Sequence, residues 1–369
     1  MKVGVITFHN ANNYGAILQT WALQKVLTNL GMEAGVIHYH PDIIDKLYDP
    51  MGCSTGIRRG IKRLRQLLLH KESIKRYDRF IRFSRQNLRL LGDYKTYEQL
   101  KKADLKLDAY IVGSDQVWND SHTGGYDPSY FLRFGGKGRR IAYAASIGRD
   151  YFNPKFREKF CQGLFGLDAI SVRERSAVKA VQELVEKPVE VVLDPTLLLN
   201  REDYEAIKVP GRVGERYILV YMIEKNDQLI TFANRISIAL GMPLLYRRPV
   251  PKVKNGLPPF YTADAGEFLG LVEGAEYVIT NSFHGTVFSV LYEKPFVSML
   301  HSDTGSRTAD LLRELGLQSH ILYDIKEFKD FGIFHTVKRE ELKARLSEHR
   351  EMSLRFLETS LGIREKRKL

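Results

Sequence analysis

Short apolar runs that end in polar turns, each turn opening a helical segment, recur along most of this chain. Runs at 2–8, 33–39, 108–113, 141–146, 169–172 and 189–193 form a first series. A second series starts near residue 215, with runs at 217–222, 243–246, 275–279 and 296–300. Strands that alternate with helices predict mostly parallel, doubly wound sheets. A chain of 369 residues exceeds one ordinary core, so two Rossmann-like α/β domains are expected. Their expected limits are 1–200 and 201–337, with a charged helix at 338–369 packing back across the domains.

Composition narrows the class. Hydrophobic residues make up 44% and charged residues 27% of the chain, the balance of a folded water-exposed protein. No apolar run approaches the ~20 residues of a membrane span. The N-terminus opens directly into a strand-like run, so no signal peptide is expected there. Cys53 and Cys161 fit neither a metal pattern nor a disulfide framework and are expected as reduced thiols, which points to a cytoplasmic location. The net charge of +12 is concentrated: residues 57–91 carry twelve Lys or Arg against Glu72 and Asp78. Apolar residues recur there at helical spacing, so 57–91 is expected as a basic helical insertion. Its basic face is either solvated or drawn peripherally to an anionic membrane surface or polyanionic acceptor. No nucleic-acid motif accompanies it.

The polar turns at strand ends are where open α/β sheets bind ligands. The turn Thr280-Asn281-Ser282-Phe283-His284-Gly285 sets an imidazole beside a helix N-terminus, which favours anions. Asn281 and Ser282 are candidate binding residues and His284 a candidate for proton transfer. Arg173, at the end of the 169–172 run, is placed to clamp a carboxylate or phosphate, or else to form a surface pair with Glu174. Ser114 and Asp115 form a turn that suits hydroxyl binding and deprotonation, or a helix cap. Asn12, Asn13 and Gly15 form a flexible amide-rich loop, and Arg307 opens another helix as a second anion seat. The chain has no D-x-D, H-E-x-x-H or cysteine cluster, so no metal or other cofactor is expected. His38 and His40 are read as facing opposite sides of their strand, against a paired metal site.

These turns, in this order, resemble the polysaccharide pyruvyl transferase family. The matching stretches are Gly4-Val5-Ile6-Thr7-Phe8 with Asn12-Asn13-Tyr14-Gly15-Ala16, and Gly113-Ser114-Asp115-Gln116-Val117-Trp118-Asn119. Ile141-Ala142-Tyr143-Ala144-Ala145-Ser146, Ser171-Val172-Arg173-Glu174, Asp194-Pro195-Thr196 and the Asn281–Gly285 turn continue the series. The resemblance covers roughly 1–315. It implies two domains facing a cleft, similar to GT-B glycosyltransferases. It also implies transfer of enolpyruvyl carbons from phosphoenolpyruvate to a sugar, as a pyruvate ketal, with phosphate released. On this resemblance Arg173 and His284 match the family's catalytic Arg and His, while Asp115 as general base is an inference from its chemistry alone. One departure stands out. Some members carry a functional Lys in the loop at 301–307, where this chain has none and Arg307 is the available cation.

The acceptor expected on this basis is a sugar of a surface polysaccharide or its lipid-linked precursor. The competing expectation is a GT-B-like glycosyltransferase using a nucleotide sugar. A third is a non-catalytic protein that binds membrane or glycan.

Overall fold

In this computed structural model the described residues are 1–48, 71–211, 213–248, 250, 253, 255–328 and 339–363. Residues 57–70 of the basic segment and Cys53 lie outside them. Seven strands pair into one sheet: β1 (Lys2–Ile6), β2 (Glu33–Tyr39), β3 (Leu90–Tyr94), β4 (Ala109–Val112), β5 (Arg139–Ala145), β6 (Ala169–Val172) and β7 (Val189–Val191). Their spatial order is β3-β2-β1-β4-β5-β6-β7, and each adjacent pair is parallel. Every residue of β4 is buried, as are four of the five in β1. A strand covered on both faces reads as a continuous apolar run, which is why these two stand out in the sequence.

A second sheet contains β8 (Ile218–Tyr221), β9 (Leu244–Tyr246), β10 (Tyr277–Thr280) and β11 (Phe296–Ser298), ordered β11-β10-β8-β9 and again parallel. By their internal contacts, Met1–Leu199 with His349–Leu369 form one unit and Asn200–Glu348 the other. The C-terminal piece belongs to the first unit through specific bonds. Arg350 Nη2 donates to the Leu199 carbonyl at 2.7 Å, and the Leu193 N–H donates to Ser353 Oγ at 2.9 Å. No helix among the described residues is long and apolar enough to cross a membrane.

In each unit the chain moves outward from one strand, then restarts on that strand's other side. The reversal falls between β1 and β4 in the first sheet and between β8 and β10 in the second. Right-handed crossovers in opposite directions put their helices on opposite faces, leaving a crevice at the carboxyl ends of the reversing strands. In the first unit the helix Tyr14–Asn29 fills one crossover and is buried at twelve of its sixteen positions. Asn13 starts it: its Oδ1 accepts from Gly15 N at 2.9 Å and Ala16 N at 3.4 Å.

Four expectations change. The segment 57–91 does not run as helix to its end, because the helix Lys71–Asn87 is followed by β3. That strand escaped notice because it is short and half-exposed, with Gly92 and Asp93 at its centre. Nor is the segment's charge all solvated. Arg76 is only 4% exposed; its Nη1 donates to Tyr14 Oη and its Nη2 to the Asn12 carbonyl, each at 2.8 Å. Its guanidinium lies 4.7 Å from the Tyr14 ring centroid and 4.5 Å from that of Phe80. The 12–15 loop is therefore pinned rather than flexible. Finally, His38 and His40 do not face apart. Residues two apart share a face of a strand, and the two rings stack with centroids 4.5 Å apart.

Replacing Arg76 by Met should leave the Tyr14 and Asn12 acceptors without this donor and cost about 1–3 kcal/mol. Lys75→Met, on the exposed side of the same helix, should change stability by less than about 0.5 kcal/mol. Denaturant unfolding of both variants checks the contrast.

Candidate functional site

In the first unit the polar residues collect at the carboxyl ends of β1, β4, β5 and β6. Thr7 Oγ1, just after β1, donates to the Ser114 carbonyl just after β4 at 2.7 Å, and Gln19 Nε2 donates to Thr7 Oγ1 at 3.0 Å. This closes the floor of the crevice where strand order reverses. Asp115 follows at φ 77, a left-handed conformation uncommon for a non-glycine residue. Its carbonyl accepts from the Ser146 and Val117 N–H groups at 3.0 and 2.8 Å. Asp115 caps no helix. The bonded loop around it holds the unusual conformation.

Arg173 is centred among acids. Its side chain is 1% exposed, and its Nη1 donates to Asp194 Oδ2 at 2.7 Å and to Ser114 Oγ at 3.3 Å. Ser114 Oγ itself donates to Asp194 Oδ2 at 2.8 Å. Nη2 lies 3.9 Å from Asp115 Oδ1, and Nε lies 3.9 Å from Glu174 Oε2. Burial works against the guanidinium's charge, but Asp194, Glu174 and Asp115 outweigh it and hold the pKa above its ordinary value.

Arg173 and Glu174 form no surface pair, since both are buried, and Ser114 is fully enclosed with its hydroxyl bonded to Asp194. Glu174 instead organises the neighbouring loop. Its Oε1 accepts from Ser146 Oγ at 2.8 Å and from the Ile147 N–H at 3.1 Å. Asp194 Oδ1 accepts from the Thr196 N–H at 3.0 Å and from its hydroxyl at 2.6 Å, capping the turn Pro195–Leu198. The cap is legible in the sequence, where an Asp stands directly before Pro and Thr. Of the three carboxylates, Asp115 is the outermost, with its side chain 16% exposed.

In the second unit the reversal between β8 and β10 receives the 280–285 turn. Thr280 Oγ1 donates to the Tyr221 carbonyl at 2.6 Å and accepts from the Ser282 N–H at 3.0 Å. Asn281 bridges to the loop after β8: its Oδ1 accepts from Ile223 N at 2.9 Å and its Nδ2 donates to the Glu224 carbonyl at 2.7 Å. Ser282 caps the helix Phe283–Leu291, accepting from Gly285 N at 3.3 Å. Gly285 must lack a side chain, because a Cβ there would lie 2.3 Å from Thr280 Oγ1.

His284 sits in the first turn of this helix, 7% exposed, with its ring edge-on to Phe283 at 5.1 Å. Arg307 lies over the other ring of that pair, its Cζ 5.6 Å from the Phe283 centroid. Arg307 Nη2 and Nε donate to Thr304 Oγ1 and to the Thr304 carbonyl, both at 3.2 Å. The expected residues Asn281, Ser282, His284 and Arg307 thus occupy one end of one sheet. Glu224 joins them, accepting from the Ser302 N–H at 3.0 Å. Burial pushes its carboxyl up, but the Ser302 bonds and His301 outweigh this and leave it below the usual range.

Loss of Arg173 should cost the fold stability. Arg173→Met leaves Asp194 and Glu174 as buried carboxylates without their cation, and a loss of about 3–5 kcal/mol is expected. Thermal and denaturant unfolding should register it before any activity is measured.

The sequence model of the family described as polysaccharide pyruvyl transferase matches residues 13–303. No curated protein matches the chain. Among solved structures, it resembles UDP-GlcNAc 2-epimerase from Neisseria meningitidis bound to UDP-GlcNAc, at 9% identity and a TM-score of 0.48, covering 97% of this chain and 99% of that one. The UDP-GlcNAc 2-epimerase from Methanocaldococcus jannaschii gives 12% identity and 0.45, covering 94% and 92%. The heptosyltransferase WaaC from E. coli with ADP gives 10% and 0.37, covering 83% and 90%. The family match spans well over half of the sequence and takes in both reversal-point turns, so the chain belongs to the polysaccharide pyruvyl transferase family and is a transferase enzyme.

Proposed function

We propose that this enzyme transfers pyruvate from phosphoenolpyruvate to a sugar of a surface polysaccharide or its lipid-linked precursor, forming a ketal. The observation that carries the proposal is His284 at the start of a helix at the reversal point of the second sheet, within the stretch that matches the family. Phosphoenolpyruvate brings a phosphate and a carboxylate. A helix N-terminus with Arg307 nearby is suited to one of them. Arg307 keeps its proton at any working pH, so its role is that of a fixed charge taking the place of the absent Lys.

The chemistry needs four proton movements, two from hydroxyls and one each to the methylene and the departing phosphate. A sugar hydroxyl oxygen bonds to the central carbon and loses its proton, while the methylene gains one and becomes methyl. The carbon–oxygen bond to phosphate then breaks, and a second hydroxyl oxygen takes the vacated position, losing its own proton. His284 is assigned the proton donated to the departing phosphate. Asp115, the most exposed of the three acids, is assigned the acceptor hydroxyl. Arg173 holds Asp194 through Nη1 and its Nη2 lies close to Asp115, so it is given the positioning of that acid. Exposed Lys71, Lys75, Arg82, Arg85 and Arg89 offer peripheral contact with an anionic membrane carrying a lipid-linked acceptor.

Incubation with phosphoenolpyruvate and candidate glycans should release phosphate and add a pyruvyl mass to the glycan. His284→Gln should lower the rate by about 10²-fold or more with the thermal midpoint retained. Arg307→Gln should mainly raise KM for phosphoenolpyruvate. Unchanged release in His284→Gln would remove its role. Stabilisation by a nucleoside diphosphate, with none by phosphoenolpyruvate, would replace the reaction with transfer from a nucleotide sugar.

A further inference from the structure

We propose that His38, His40 and Asp93 bind a divalent transition-metal ion at the carboxyl ends of β2 and β3, with zinc the best-fitting ion. One ligand atom from each of the three lies within 4.8 Å of the others. Ligand atoms around a tetrahedral zinc ion are about 3.3 Å apart, so the cluster must close its wider gaps and open its shortest one. The contact to open is His40 Nε2 to Asp93 Oδ1, now 2.6 Å. Asp93 is free to open it, because its side chain is 72% exposed.

The neighbours arrange the imidazoles as ligands. His9 is 1% exposed, and its Nδ1 lies 3.1 Å from the Thr7 carbonyl, which only accepts, so that nitrogen donates. In the buried, neutral ring Nε2 is then the acceptor, and it faces His38 Nδ1 at 2.7 Å. His38 must therefore carry its proton on Nδ1 and leave the Nε2 lone pair for an ion. His40 Nδ1 lies 2.8 Å from Asp45 Oδ2, which fixes that proton and leaves Nε2 for the same ion. Metal-binding histidines characteristically donate their second N–H to a carboxylate, a carbonyl or another fixed acceptor, and here both do.

The fold builds the third ligand deliberately. Pairing of β2 with β3 shifts register between Ile37 and Tyr39, adding one residue to β3 where Gly92 adopts φ 65. Such an irregularity re-aims a side chain, and Asp93 is the one brought to His40. Two imidazoles and a carboxylate with open positions are a common zinc set. The open side meets a cavity of about 800 Å³, also lined by Asn10, Asp42, Arg82, Arg85 and Lys95. The ion's remaining positions would hold water or an oxygen of a bound molecule. The competing account is a doubly paired imidazolium, with His40 held between Asp45 and Asp93 and no affinity for an ion.

The test uses the full chain, stripped with a chelator and titrated with Zn²⁺ and then Co²⁺. One ion per chain is expected, with cobalt absorption bands of a low-coordinate nitrogen–oxygen site and a raised thermal midpoint. Asp93→Asn, at an exposed side chain and safe for the fold, should weaken zinc binding by about tenfold or more. His38→Gln should do the same, and His349→Gln, outside the cluster, should not. Absence of stoichiometric uptake, or uptake equally tight in Asp93→Asn and His38→Gln, overturns the proposal.

Discussion

A parallel strand covered on both faces has little room for a polar side chain except at its ends. In both sheets this constraint sorts the chemistry from the scaffold. The strands supply buried Val, Ile, Leu and Tyr, and the polar groups gather in the turns beyond their carboxyl ends. The reversal of strand order then decides which turns matter, since only there do the helices part to leave a crevice. Thr7 and Ser114 meet at one reversal, and Tyr221 and Thr280 at the other. Each floor is sealed by a hydroxyl bonded to a backbone carbonyl, so the candidate residues stand on a rigid base.

The two units spend charge differently. Around Arg173, three carboxylates surround one guanidinium, and the strong bond goes to Asp194. The net character there is acidic, which suits handling a hydroxyl better than seating an anion. Around His284 the balance is reversed. A helix N-terminus and Arg307 provide positive potential, and Glu224 is directed to Ser302 and His301. The roles proposed for Asp115 and His284 draw on this difference in charge.

Much of the scaffold was legible because its strands are buried on both faces and its turns carry cap residues at fixed offsets. The Ser282 cap and the helix after it could be read from the Thr280–Gly285 stretch alone. Other features were hidden for identifiable reasons. β3 has too little apolar character to announce itself, and its value lies in the shifted register that presents Asp93. Arg76 looks like one more charge in a basic segment until Tyr14, Phe80 and the Asn12 carbonyl are seen around it. Glu174 and Arg173 look like a surface pair because adjacent opposite charges usually are one.

By itself the sequence determined the element types, the parallel class of both sheets, the family, and the turns that bear His284, Arg173 and Asp115. These depend on local periodicity, caps and motif order, all of which are written in neighbouring residues. Only the tertiary structure decided what each side chain does with its charge. Arg173 turns inward to Asp194, twenty-one residues away in sequence. His9, His38, His40, Asp45 and Asp93 converge from four separate segments of the chain. Burial and long-range partners set protonation and ligand geometry, and neither is a property of a residue's neighbours along the chain.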